Sequence, residues 1–239
     1  MTPVLHTYSA QAGKTLYWDT SDSEQCFEKN KKDPVAYQQL KDLGYLDTVI
    51  EYQFNSHGFR TAEFVGPVDV ACFGCSFTMG TGVHANDTWP EQLGKLTGLS
   101  VANLGHAGSS NDTAFRLANH YLRSLRPKIA IWLQTDRHRL ELLDEDLKVS
   151  LNLLASDTSN PCRDDYFTKT WFASSVNQQL NLEKNTRAFR DLCRELGINA
   201  IILPRNQVLN DQSARDLSHP GPLAYQQLSK QIYQQIMIP

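Results

Sequence analysis

Val68-Asp-Val-Ala-Cys-Phe-Gly74-Cys75-Ser76-Phe77-Thr78-Met-Gly80 is the stretch on which the fold turns. Residues 68–73 are apolar enough to read as a buried strand, and the run stops at Gly74. A small hydroxyl residue, Ser76, follows at once in a loop punctuated by glycine. Open α/β sheets bind ligands at the carboxyl ends of their strands, so Ser76 stands where such a sheet presents its chemistry. Far downstream, Asp216-Leu-Ser-His219-Pro-Gly sets an acid and an imidazole three residues apart, just before the last helical segment. A serine nucleophile needs a base, and the base needs an acid to orient it. The chain supplies all three.

Working outward from residue 68, strand and helix patterns alternate to the end of the chain. Thr88-Trp-Pro90-Glu91 reads as a capping box with proline in the first turn, and Trp89, Leu93 and Leu96 follow at helical spacing. Residues 99–104 form a second short strand. Phe115, Ala118, Leu122 and Leu125 share one helical face that Pro127 closes. A third strand runs over residues 128–133 and a fourth over 200–203. Between these two, Phe189, Leu192, Cys193 and Leu196 mark a helix ended by Gly197, and residues 223–237 make a terminal helix. This alternation predicts a three-layer α/β/α sandwich around a parallel sheet. Residues 140–180, turn-rich over 150–160, are too long for a simple connection and form a lid or a local subdomain.

Residues 1–66 are polar and weakly periodic and read as an N-terminal extension of a main domain over 67–239. The extension is either packed on that domain or a surface arm. A helix is expected over residues 34–46, with Leu40, Leu43 and Leu46 on its apolar side. Tyr52-Gln-Phe-Asn55 then enters a turn at Gly58, before Phe59 and Arg60.

At 239 residues, the size of the chain fits one large domain. A hydrophobic content of 41% with 21% charged residues is that of an ordinary globular chain. A net charge of −3 gives no footprint for nucleic acid or an anionic membrane. No apolar run approaches a transmembrane length, and the N-terminus lacks the basic and apolar regions of a secretion signal. Five cysteines, an odd number, fit reduced thiols in the cytoplasm.

Three blocks together resemble the GDSL esterases, also called SGNH hydrolases. Gly74-Cys75-Ser76-Phe77-Thr78 resembles the Gly-Asp-Ser-x-Ser/Thr block, Asn103-Leu-Gly105-His-Ala-Gly108 the second block, and Asp216-x-x-His219 the last. The resemblance covers residues 68–239 and implies an SGNH-type, flavodoxin-like sandwich. It implies Ser76 as nucleophile, His219 as base and Asp216 as orienting acid. Matching Asn103 to the block's leading Asn makes Gly108 the oxyanion glycine, with Gly105 as competitor. Asn-x-x-Gly-Phe-Arg, here Asn55 to Arg60, is similar to a segment that precedes the serine block in some SGNH-like proteins.

The third block departs from that family, whose pattern is Gly-x-Asn-Asp with the Asn as an oxyanion donor. Here the strand runs into Leu133-Gln134-Thr135-Asp136-Arg137-His138-Arg139. An ungapped match puts Asp136 or Thr135 in that place. An ionised Asp would repel an oxyanion, so Thr135 or Gln134 would have to donate instead. Ser110-Asn111-Asp112 looks superficially like the block but falls after the second strand; it caps the next helix or lends Asn111 to the pocket. Arg137, His138 and Arg139 bind an anionic substrate group or form a solvated basic turn paired with Glu141.

Other chemistries fit the pattern less well. Cys72-x-x-Cys75 begins inside a strand, not at the helix N-terminus a redox motif wants. Cys26, Cys162 and Cys193 stand singly, without further ligands at zinc spacing. No metal or organic cofactor is implied. Of seven histidines, only His219 has an Asp three residues before it in a loop leading to a helix; His120 reads as exposed. The expected activity is serine-dependent cleavage or transfer of a small acyl group, such as acetyl on a sugar or metabolite, with no nucleic-acid or membrane partner. The alternative is a binding protein that kept the fold and pocket.

Overall fold

The strand β3 (Val70–Gly74) is buried along its whole length, because apolar side chains cover both of its faces. The structure is a computed structural model that describes residues 11–143, 150–153, 166–208 and 212–237. Ahead of β3 lie β1 (Thr15–Leu16), α1 (Glu24–Lys32), α2 (Pro34–Asp42) and β2 (Tyr52–Gln53). After it come α3 (Ser76–Met79), α4 (Trp89–Thr97), β4 (Val101–Gly105), α5 (Asn111–Leu125), β5 (Ile129–Leu133), β6 (Leu140–Leu143) and β7 (Ser150–Leu153). The chain continues through α6 (Tyr166–Ala173), α7 (Ser175–Glu195), β8 (Asn199–Leu203) and α8 (Pro222–Met237). The main sheet has the order β4-β3-β5-β8, parallel throughout. The chain steps outward from β3 to β4 and then crosses back to β5. The strand order therefore reverses beside the carboxyl end of β3, where a doubly wound sheet opens a crevice.

Alternate residues of each strand feed two cores, as the period of two requires. Ala71, Phe73, Leu104 and Trp132 meet α5 through Leu117, Ala118 and Leu122, and α7 through Phe189 and Cys193. Val70, Cys72, Ile131 and Leu133 face the other way, against Trp89 and Leu93 of α4 and Tyr225, Leu228 and Ile232 of α8. Each fully buried large apolar side chain contributes about 1.5–3 kcal/mol, so the packing of both helix layers holds the sheet between them. The three-layer α/β/α architecture expected from the alternation is the observed one. Among the described residues, no helix is long and apolar enough to cross a membrane.

Several local expectations are corrected. The capping box at Thr88 does not form: its hydroxyl donates back to the Ala85 carbonyl at 2.9 Å and caps nothing in α4. The capping box belongs to α5, where Ser110 and Thr113 exchange side-chain and backbone bonds. Helix α2 stops at Asp42, four residues short of Leu46, because Leu43 leaves the helix and the chain turns at Gly44 (φ 75°). His120 is half-buried under Tyr121, not exposed. Glu141 pairs with Arg116 at 2.7 Å and not with Arg139. Within 140–180, residues 150–153 are a strand paired antiparallel with β6, and α7 already begins at Ser175. The readings placed on residues 1–6, on 154–160 and on Cys162 lie outside the described residues.

The N-terminal elements build a third core from Leu40, Tyr45, Ile50, Tyr52 and Phe54, and Met79 and Ala107 from the sheet domain complete it. Arg60 crosses the same seam. It is buried, lies 4.2 Å over the Tyr52 ring, and donates to the carbonyls of Gly80, Glu51 and Val83. Gly80 and Val83 belong to the loop behind Ser76, so this one guanidinium fixes that loop from the outside.

Candidate active site

The carboxyl end of β3 delivers Ser76 as the first residue of the four-residue helix α3, with Cys75 extended before it. The turn needs glycine at Gly74: a Cβ there would lie 2.2 Å from Thr78 Oγ1 and 2.8 Å from the Leu133 carbonyl. The end of β4 packs as closely, since a Cβ on Gly105 would sit 2.4 Å from the Met79 amide nitrogen. Asn103 supports α3 from below, donating to the Thr78 carbonyl at 2.9 Å. Ser76 is 5% exposed and its amide is among the first-turn N–H groups that a helix cannot satisfy internally.

The loop after β4 is tied to the same strand end. His106 N–H and the Ser109 hydroxyl both donate to the Gly74 carbonyl, at 2.9 and 3.2 Å. Ser109 N–H closes a turn onto His106, with Gly108 at φ 72° inside it, so the turn's own bond leaves the Gly108 amide unused. Gly105 is a packing residue; Gly108 is the one in a positive-φ turn.

Asp216, Ser218 and His219 lie on one loop between residue 212 and α8. Leu217 sits at φ 57°, a left-handed conformation that costs a non-glycine residue about 1–2 kcal/mol. Its side chain packs on the N-terminal core, which holds it there. The Asp216 carboxylate caps the turn: Oδ1 accepts from Ser218 N–H at 3.1 Å and His219 N–H at 3.0 Å. Oδ2 lies 2.6 Å from His219 Nδ1 and accepts from the hydroxyls of Ser218 and Ser21, each at 2.7 Å. A carboxylate only accepts, so Nδ1 carries a proton, and in the neutral imidazole Nε2 is left with its lone pair. That Nε2 lies 2.8 Å from Ser76 Oγ. Burial pushes the Asp216 carboxyl up, but the His219 hydrogen bond and charge and the Ser218 and Ser21 hydroxyls outweigh it and hold the group well below the usual carboxylate range.

The structure therefore brings Ser76, His219 and Asp216 into one hydrogen-bonded line. The remaining candidates border it differently. Asn111 is buried and exchanges two bonds with Thr135: its Nδ2 donates to the Thr135 carbonyl at 3.1 Å and its Oδ1 accepts from Thr135 N–H at 3.0 Å. Gln134 donates to Thr186 on α7 at 2.9 Å. Asp136 pairs with Arg205, and Arg139 Nη2 lies 3.9 Å away. Thr135 is 5% exposed, and its hydroxyl has no hydrogen-bond partner among the described residues. A cleft of about 750 Å³ opens here between Phe77, Thr135, Arg137, Gln179, Arg205 and Ser218. Phe77 meets the His219 ring edge-on at 5.5 Å and carries the Arg205 guanidinium 4.6 Å above its own ring. Burial pushes the Cys72 thiol well up, opposite to what thiolate chemistry needs. No group of three or more His, Cys, Asp or Glu among the described residues could hold a metal ion.

Ser21, Arg60 and Arg205 were not singled out in the sequence. Arg60 had a signal in its Asn-x-x-Gly-Phe-Arg setting. Ser21 had none, since it meets Asp216 across 195 residues.

No family model matches the chain, and no curated protein matches it. Solved structures similar to it include that of a protein described as of the G-D-S-L family from Desulfitobacterium hafniense DCB-2, at 17% identity and a TM-score of 0.36, over 70% of this chain and 98% of that one. Another is a GDSL-like lipase from Bacteroides thetaiotaomicron VPI-5482, at 14% identity and a TM-score of 0.33, over 70% of this chain and 86% of that one. The sheet order and its two helix layers, not these distant likenesses, establish the α/β/α fold.

Proposed function

We propose that the protein is a serine hydrolase that cleaves or transfers the acyl group of a small ester. The observation that carries the proposal is the unbroken line from Ser76 Oγ through His219 to Asp216, with contacts of 2.8 and 2.6 Å. Such a line has the polarity that nucleophilic catalysis needs. The Ser76 hydroxyl attacks the ester carbonyl while its proton passes to His219 Nε2, and Asp216 stabilises the imidazolium that results. The tetrahedral oxyanion takes hydrogen bonds from the amides of Ser76 and Gly108. The Thr135 hydroxyl serves as the side-chain donor, in place of Asn111 or Gln134, whose amides bond Thr135 and Thr186. Collapse of the intermediate expels the alcohol, which takes its proton from His219 and leaves acyl-Ser76. Water activated by the same imidazole completes hydrolysis; an acceptor hydroxyl in its place completes transfer. The polar and aromatic lining of the cleft supports a polar alcohol part, such as a sugar or metabolite.

One observation favours the second reading, a binding protein on the same scaffold. Asp136, one of the two residues that an ungapped match puts at the family's missing Asn (Thr135 is the other), is engaged by Arg205. One experiment separates the two. A fluorophosphonate probe should label Ser76, the label should be lost in Ser76→Ala, and short-chain p-nitrophenyl esters should turn over. A folded wild-type chain that takes no label and turns over no ester would leave the binding protein as the answer.

A further inference from the structure

Two adjacent residues of the N-terminal segment hold two adjacent residues of the acid-bearing loop. Asp22 takes Arg215 Nε at 2.9 Å and Nη2 at 2.8 Å, with side chains only 1% and 3% exposed. Ser21, next to it, donates to Asp216 Oδ2 at 2.7 Å and lies 3.4 Å from His219 Nδ1. A reciprocal backbone pair between Asp19 and Asp22, at 3.0 and 3.1 Å, closes the tight turn that presents Ser21, with Thr20 at φ 53° inside it. The base of that turn is fixed further: Tyr52 OH donates to Asp22 at 2.5 Å and accepts from Gly82 N–H at 2.8 Å. Trp18 covers the Arg215 guanidinium at 4.0 Å.

We propose that Ser21 is a positioning residue of the acyl-transfer site, which makes the N-terminal segment part of the machinery. The inference rests on the serine-hydrolase reading above. A carboxylate is soft about its terminal torsion. The other donors to Asp216 are the amides of Ser218 and His219, the Ser218 hydroxyl and the His219 ring, and all of them ride on its own loop. These contacts move with the loop and cannot register it against the rest of the protein. Among the described residues, Ser21 is the donor that comes from outside, on a turn anchored by buried ionic and aromatic contacts. It fixes the rotation at which Oδ2 meets Nδ1, and through it the direction in which Nε2 faces Ser76.

The test compares full-length wild type, Ser21→Ala and Ser21→Thr in p-nitrophenyl ester turnover and in the rate of fluorophosphonate labelling. Losing a hydrogen bond to an ionised group predicts that Ser21→Ala lowers kcat and the labelling rate by roughly tenfold or more. KM should stay within about twofold and the thermal midpoint close to wild type, because Ser21 is exposed and fills no core. Ser21→Thr, which keeps the hydroxyl, should recover most of the rate. Wild-type kcat in Ser21→Ala overturns the inference and leaves the hydrolase reading standing. Equal damage in the Ala and Thr variants, or a fall in stability parallel to the fall in rate, also overturns it by assigning Ser21 a packing role. A wild-type chain with neither label nor turnover overturns both readings together.

Discussion

Replacing Asp22 with asparagine removes the negative charge from the most enclosed ion pair of the seam between the N-terminal segment and the sheet domain. Arg215 would remain, 3% exposed at its side chain, with no carboxylate among the described residues to receive its guanidinium, beside the Thr48 and Tyr17 carbonyls at 3.2 and 2.9 Å. Asparagine keeps one acceptor oxygen, but its NH₂ group must face Arg215 Nε in one orientation or Arg215 Nη2 and the Tyr52 hydroxyl in the other, all of them donors. Breaking a buried pair by removing one partner costs about 3–5 kcal/mol. A chain of this size loses roughly 2–4 °C per kcal/mol, so the thermal midpoint should fall by roughly 6–20 °C. Urea unfolding followed by tryptophan fluorescence suits the measurement, because Trp18 stacks directly on the affected guanidinium. A loss below about 1 kcal/mol would refute the reasoning, since it would mean that water or a rearranged side chain satisfies Arg215. The double replacement Asp22→Leu with Arg215→Met sharpens the test. Removing both charges should be less damaging than removing one, because no uncompensated charge stays buried.

Four further outcomes are expected. Asp216→Asn should cost roughly 10⁴ in kcat, the handicap an orienting acid's loss imposes in trypsin-like triads, with Ser76 still labelled slowly by a fluorophosphonate. The depressed Asp216 carboxyl contributes stability that is complete above the unfolded value near 3.8 and lost as pH falls through its lower folded value. The stability gap between wild type and Asp216→Asn should thus be constant at neutral pH and shrink only below about pH 4, as read from urea midpoints across pH. Glu91 behaves in the opposite sense: burial raises its carboxyl, with Lys95 opposing, so Glu91→Gln should stabilise at pH 7 and lose that advantage as pH falls through the raised folded value, completely by about 4.5. Gly105→Ala should abolish ester turnover and lower the thermal midpoint, because its methyl carbon would sit 2.4 Å from the Met79 amide nitrogen and 2.7 and 2.8 Å from the Thr78 carbonyl carbon and Cβ, with no flexible side-chain end to give way.

The four strands of the main sheet were legible because each is a short apolar run ended by a glycine or a polar loop, and a run buried on both faces needs no partner to be recognised. Their ends were read to within two residues: the strand expected over 68–73 is Val70–Gly74, and that over 99–104 is Val101–Gly105. Capping was less legible. Thr88 and Ser110 both precede good helices, and nothing local says that Thr88 will find the Ala85 carbonyl while Ser110 takes the Thr113 amide. Pairings across the sheet were illegible for the same reason. Glu141 lies two residues from Arg139, yet the strand β6 points it at Arg116 on α5. At the site, the chain order of Ser76, Asp216 and His219 suggested neighbours, since strand ends converge on one edge. What surrounds Asp216 could not be read so, because Ser21 and Asp22 belong to a segment without strong periodicity and reach their partners only through the folded seam.

The contacts that join Asp216 and His219 to their surroundings have a kinetic consequence. His219 meets Ser76 across 143 residues, and Ser21 meets Asp216 across 195. Closures of that span lose chain entropy before any contact repays it, so they belong late in folding, after the sheet and its helices have drawn the ends together. Amide hydrogens of Ser218 and His219, both bonded to Asp216, should then exchange with solvent only through near-global opening, slowly for residues on a loop. During synthesis the serine emerges long before the acid and the base. If the serine-hydrolase proposal holds, the nascent chain should stay unreactive to a fluorophosphonate until residues 215–219 dock against the turn at 19–22, which would make labelling a readout of completed folding.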